Sequence, residues 1–211
     1  MTIGSKAGMI NAVTFKTKKT MKNYYRLVQW TDEKGIIIDE ITGIESFKDT
    51  YYDGKLISIK ETPFIHFENL NKQPYDFLTN YGSTPIVSLK MKQILEGQKD
   101  DFHYLQFIPV QSKLKIEYFF LQILENIHCF DWEKSEYTRF PEFLGLQNIP
   151  DNVSKLVMDQ QKIGARNIFR MEEQSHHIFI SDTLSDILVE NKITGMRITK
   201  SPNLDRMYDE E

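Results

Sequence analysis

The sequence predicts an α+β fold, with a mixed, mainly antiparallel sheet that carries two strand-serine-helix units. Three observations lead there. Short runs rich in β-branched and aromatic residues recur, separated by turns such as Asp-Glu-Lys-Gly and Tyr-Asp-Gly. Aromatic residues make up 12% of the chain, a content that suits a sheet-rich core. One short phrase also occurs twice, as IVSLKMKQIL (Ile86–Leu95) and FISDTLSDIL (Phe179–Leu188). In each copy an apolar pair ends a strand and a serine, Ser88 or Ser181, is placed to cap the helix that follows. Met91, Ile94 and Leu95, like Leu184, Ile187 and Leu188, recur at i, i+3, i+4 and form one apolar helix face.

Taken in order, the elements begin at Tyr24. YYRLVQW, GIIID and KLISIK read as a small antiparallel meander. Thr62 to Ser83, with Pro63, Pro74, Gly82 and several Asn, reads as a long, partly irregular connection. The first repeat unit follows, its helix running to about Glu96 with Gly97 as the stop. YLQFIPV and KLKIEYFFLQIL read as a hairpin, and the second strand, apolar on both faces, reads as central. Pro141 to Pro150 is a loop or bent segment. KLVMD and RNIFRM read as strands. HIFIS, a helix from Asp182 to Asn191, a Thr194-Gly195 turn and the strand MRIT complete the order. Helices and strands do not alternate regularly, which argues against a βαβ array.

Composition bounds the rest. The 211 residues suit one domain, with 40% hydrophobic residues to fill its core. The expected division is a flexible extension over 1–21, a single domain over 22–200 and an acidic tail over 201–211. Five lysines and no acid occupy the first 22 residues, and Met21 is a candidate start of the folded part. A net charge of −4 gives no basic footprint for nucleic acid. No apolar run is long enough to span a membrane, and no signal peptide is legible. The single cysteine, Cys129, rules out an internal disulfide and suits a reducing cytoplasm.

With these units placed, the chain resembles the Imm11-like immunity proteins, a family found beside secreted bacterial polymorphic toxins. The segments that carry the resemblance, in order, are TPIVSLKMKQIL, YFFLQILENIHCFDWEKSEY, KLVMD, NIFRM and HIFISDTLSDILVENKITGMRI. Together they cover roughly Thr84 to Ile198. The match is looser over the N-terminal strands and absent from the first 20 residues and the acidic tail. The resemblance implies an α+β domain that binds and neutralises a cognate toxin in the cytoplasm of the producing cell, by stoichiometric occlusion and without enzymatic activity. Two other classes stay open: a non-enzymatic scaffold or regulatory binding module, and an enzyme that reverses a toxin product.

Candidate site residues come from the chain itself. Asp131, Trp132, Glu133, Glu136 and Tyr137 follow a strongly apolar strand, and aromatic anchors bordered by acids suit a partner surface, especially a basic one. The bland reading packs Trp132 on the core rim and leaves the acids in solvent. Tyr51 and Tyr52, before Asp53-Gly54, form a second candidate, expected exposed on a turn. The Lys16 to Lys22 stretch reads as a solvated arm. Catalytic and metal readings are weak. His128 and Cys129 are adjacent on an extended chain, so their side chains point to opposite faces. Neighbouring His176 and His177 are expected to diverge for the same reason, with no further ligand at a zinc-like spacing. Glu172-Glu173 reads as a turn. No phosphate-binding glycine loop is present, and no cofactor or metal is expected.

Overall fold

The computed structural model describes residues 22–44, 51–80, 85–98 and 101–199. The basic N-terminal extension and the acidic tail lie outside them. The chain is mainly β, with three short helices among the described residues. A single mixed sheet was the expectation. The strands instead divide into a closed six-stranded barrel, a five-stranded sheet and a two-stranded sheet.

The barrel contains β2 (Ile37–Thr42), β3 (Phe64–Phe67), β4 (Phe77–Asn80), β5 (Ile86–Ser88), β6 (Leu105–Ser112) and β7 (Tyr118–Ile123), in the order β2-β3-β6-β7-β5-β4. Closure needs two parallel pairings, β2 with β4 and β3 with β6; the other four are antiparallel. The β6–β7 hairpin forms over Leu105–Val110 against Tyr118–Ile123, and β7 lies between β5 and β6. Its two apolar faces have two destinations. Tyr118 and Phe120 enter the barrel core with Ile38, Ile65, Leu78 and Ile108. Leu121 and Ile123 point outward into a second core.

That second core joins the barrel to the five-stranded sheet. The sheet holds β1 (Tyr24–Gln29), β8 (Asn126–Ile127), β11 (Ile168–Met171), β12 (Gln174–Ser181) and β13 (Met196–Thr199), in the order β13-β1-β12-β11-β8. Leu27, Ile168, Ile178 and Ile180 from one sheet face meet Val87, Leu121 and Ile123 from the barrel. Between them lie Met91 and Leu95 of α1 (Leu89–Glu96) and Leu184 and Leu188 of α3 (Asp182–Glu190). Both helices start the same way. The Ser88 hydroxyl accepts the Met91 N–H and donates to Asp76 Oδ1 at 2.7 Å. The Ser181 hydroxyl accepts the Leu184 N–H and donates to Asn167 Oδ1 at 2.8 Å. Each serine thus fills an orphan donor of the first helical turn and anchors the helix end to a neighbouring loop.

Four local expectations are corrected. β1 pairs with β12 and β13 rather than with β2, so there is no N-terminal meander. The KLISIK segment is not a strand. The Gln106 side chain accepts the Ile57 N–H and donates to the Ile57 carbonyl, which replaces a strand ladder at that residue. The segment read as irregular contains β3 and β4. KLVMD is not a strand either; the strand β10 (Pro150–Lys155) stops at its first residue. Its remaining backbone is satisfied from the side, because the Val157 carbonyl accepts the Asp131 N–H, the Val157 N–H donates to Ser135 Oγ, and the Asp159 N–H donates to the Cys129 carbonyl.

The other face of the five-stranded sheet supports the site. Phe169, Met171 and Phe179 pack there against Ile127, Cys129, Phe130, Val153 and Ile163, the last from the one-turn helix α2 (Gln160–Ile163). Trp132 and Tyr137 lie on the edge of this cluster. Over it stands the two-stranded sheet, β9 (Glu136–Arg139) against β10.

Candidate functional site: the β9–β10 hairpin

The five candidate residues Asp131, Trp132, Glu133, Glu136 and Tyr137 lie at the base of this hairpin. Asp131 is a turn residue. Its carboxylate accepts the Glu133 and Lys134 N–H groups at 3.2 and 3.1 Å and the Lys134 ammonium at 2.7 Å. The bond from Lys134 holds its carboxyl below the usual aspartate range. Trp132 and Tyr137 are half-buried and stack edge to face, with ring centres 5.1 Å apart. Both also meet Phe130, at 4.7 and 5.4 Å. Arg139 lies over them, 4.8 Å from the Trp132 ring and 5.3 Å from the Tyr137 ring. Glu133 and Glu136 are exposed, and Glu136 pairs with Lys155 across the hairpin at 3.4 Å. The structure therefore assigns Asp131 and much of Trp132 to local packing, and leaves Glu133, Glu136 and the outer edges of the two rings facing solvent.

The tandem tyrosines do not sit together on the surface. Tyr51 is only 4% exposed, so its expected exposure is corrected; Tyr52 is half-buried. The cause is Arg170, a fully buried cation on β11. Its guanidinium lies 4.6 Å from the Tyr51 ring and 5.2 Å from the Tyr52 ring, donates to the Tyr51 hydroxyl, and donates to the Ser175 carbonyl at 2.5 Å. No carboxylate pairs with Arg170 among the described residues. Two aromatic faces and two oxygens take the place of an ion pair. A residue held this way cannot touch a partner directly.

The Pro141–Pro150 segment, expected as a loop or bent segment, is the loop between β9 and β10. It carries four large exposed apolar side chains: Phe143 (85% exposed), Leu144, Leu146 and Ile149. It is also internally braced. Leu144 and Gly145 donate back to Pro141 and Glu142, Ile149 donates to Leu146, Arg139 Nη1 donates to the Gln147 carbonyl at 2.9 Å, and Gln147 Nε2 donates to the Glu142 carbonyl at 2.8 Å. Gly145 takes φ +68° to end the short turn at Glu142–Leu144. The sequence signal was present in PEFLGLQNIP, where four apolar residues fall in a proline-bounded loop with no strand or helix period to bury them.

Behind the loop a cavity of about 270 Å³ is lined by Phe140, Ile149, Val153, Gln174, His176 and His177. The two imidazoles do not diverge; their ring centres are 3.9 Å apart. β12 carries a register shift against β11 here, between the Arg170 and Met171 pairings, so the strict alternation of a flat strand fails. Burial, reinforced by His176 and by Arg26 and Arg170, pushes the His177 pKa down to about 3, and burial lowers that of His176 as well. Both side chains are neutral at physiological pH. His128 lies outside this group, its Nδ1 2.8 Å from the buried Glu173 carboxylate. Cys129 is fully buried, and burial pushes its thiol well above the ordinary range. Among the described residues no group of three or more His, Cys, Asp or Glu could hold a metal ion. No helix among them is long and apolar enough to cross a membrane.

The fold and this surface define a mainly β protein whose most distinctive exposed feature is a braced, apolar-tipped hairpin. A family model described as "Immunity protein family (Imm11)" matches residues 11–201. The chain belongs to that immunity protein family, and the match extends well beyond the Thr84–Ile198 stretch that carries the resemblance in the sequence. No curated protein matches the chain.

Proposed function

We propose that this protein neutralises a cognate secreted toxin of a polymorphic toxin system by binding it one-to-one in the cytoplasm and covering a surface the toxin needs. Residues 22–200 act as one binding unit, with 1–21 and 201–211 as appended tails. The observation that carries the reading is the family membership over residues 11–201. The β9–β10 hairpin supports it physically. Its exposed Glu133 and Glu136 beside the rims of Trp132 and Tyr137 give aromatic contact area bordered by charge, which suits specific protein recognition.

The test is co-expression with the toxin encoded by a neighbouring gene. Wild-type protein restores growth, and the pair co-purifies. Glu133→Lys reverses an exposed charge without touching the aromatic cluster, and it weakens rescue. Full rescue by that variant would remove Glu133 from the interface. Absence of rescue by folded wild-type protein would contradict immunity towards that toxin.

A further inference from the structure

The tip of the hairpin has a chemistry of its own. Phe143, Leu144, Leu146 and Ile149 fall within seven residues and all face solvent. Phe143 is almost wholly uncovered, while Leu144, Leu146 and Ile149 each keep roughly two-fifths to half of their surface in solvent. An exposed apolar group this dense is a recognition feature rather than ordinary surface. The backbone bonds within the loop and the Arg139 and Gln147 side-chain bonds hold it in one shape before any partner arrives, so little ordering is left for the binding step.

The surrounding charge is one-sided. Between Asp131 and Asp151 there are five acids and two bases. Asp131 is neutralised by Lys134 and Glu136 by Lys155. Glu133, Glu142 and Asp151 form no ion pair among the described residues. Glu142 and Asp151 near the tip and Glu133 at the base outweigh Arg139, which has no carboxylate partner among the described residues, so the net free charge of the hairpin is negative.

Resting on the immunity reading, we infer that the 141–149 loop is a plug: Phe143 enters an apolar cleft of the toxin whose rim is basic. A side chain 85% exposed on a convex turn loses its contact with water only inside a concave partner. The three free carboxylates match a cationic rim and accelerate encounter at low salt. Phe143 is the anchor of the contact and Glu133, Glu142 and Asp151 are its steering charges. An enzyme that handles a polyanion has a cleft of this kind.

The experiment is calorimetric and kinetic titration of the full-length protein against a catalytically dead form of its cognate toxin, at two salt concentrations. Circular dichroism and sedimentation of each variant accompany it. Phe143→Ala weakens binding roughly thirty-fold or more, mainly through faster dissociation. Glu142→Lys slows association and flattens its salt dependence. Val189→Ala, an apolar truncation at an exposed position on α3, changes neither. Tight binding by wild type and by a folded Phe143→Ala alike would overturn the plug and leave immunity standing. No binding by wild type would overturn both. Concentration-dependent self-association of the free protein that Phe143→Ala abolishes would overturn the toxin as occupant and assign the loop to a second copy.

Discussion

At the scale of single residues, Arg170, Tyr51 and Cys129 are all held in the interior. Tyr51 gives the buried Arg170 guanidinium both a ring face and a hydroxyl acceptor. Tyr51→Phe keeps the ring and removes the acceptor, leaving a buried cationic donor unmet. The expected loss is about 1.5–3 kcal/mol in denaturant unfolding. An unchanged midpoint would show that the ring face alone suffices. Cys129 is a small buried hydrophobe with a raised thiol pKa. Thiol reagents label it slowly in the native protein and quickly in denaturant, and rapid native labelling would contradict the packing. Cys129 and Tyr51 differ in how legible their burial is. The burial of Cys129 follows from its apolar neighbours Ile127 and Phe130. That of Tyr51 depends on a cation 119 positions further along the chain.

Elements were legible where their partners are close in the chain. The β6–β7 hairpin and the run β12-α3-β13 follow from local alternation, capping serine and turn chemistry. Barrel closure was not legible, because the β2–β4 and β3–β6 pairings join distant strands in parallel and no turn residue announces them. KLISIK looked like a strand by composition, and a glutamine side chain took its place in the ladder. The hairpin site was half legible. The charged and aromatic base stands out in the sequence, whereas the apolar residues of the tip follow no strand or helix period and so carry no pattern that marks them as exposed. Three substitutions test the element level. Ser88→Ala and Ser181→Ala each remove a cap and a side-chain bond, part-buried at Ser88 and buried at Ser181, and each lowers stability in denaturant unfolding by about 1–2 kcal/mol. Gly195→Ala is worse. Its φ is +80°, and an added Cβ would meet the Phe77 carbonyl oxygen at 2.1 Å. Since the Gly195 carbonyl also accepts the Trp30 N–H, the strain is set between barrel and sheet. A loss of upwards of 2 kcal/mol is expected.

At the scale of the whole molecule, stability and binding separate. The fold rests on two cores around the barrel and a third under the hairpin, and the proposed contact residues at the tip belong to none of them. Changes at the tip therefore alter affinity without altering the melting temperature. Stability responds instead to pH through the histidine pair. The folded pKa of His177 is about 3, against about 6.5 when unfolded. The unfolded chain thus binds the proton first. The contribution of His177 is fully present above pH 6.5 and declines as pH falls towards 3, with a slope of at most about 1.4 kcal/mol per pH unit. His177→Gln flattens that decline between pH 6 and 4; an identical slope would place the acid sensitivity elsewhere. The central claim is stoichiometric neutralisation of a toxin by this family member. It is tested most directly by titrating a fixed amount of the cognate toxin's activity with the purified protein. The account predicts a linear fall that ends sharply at one equivalent. Protection at a small fraction of an equivalent would reveal turnover, and undiminished activity beyond several equivalents would contradict inhibition by binding.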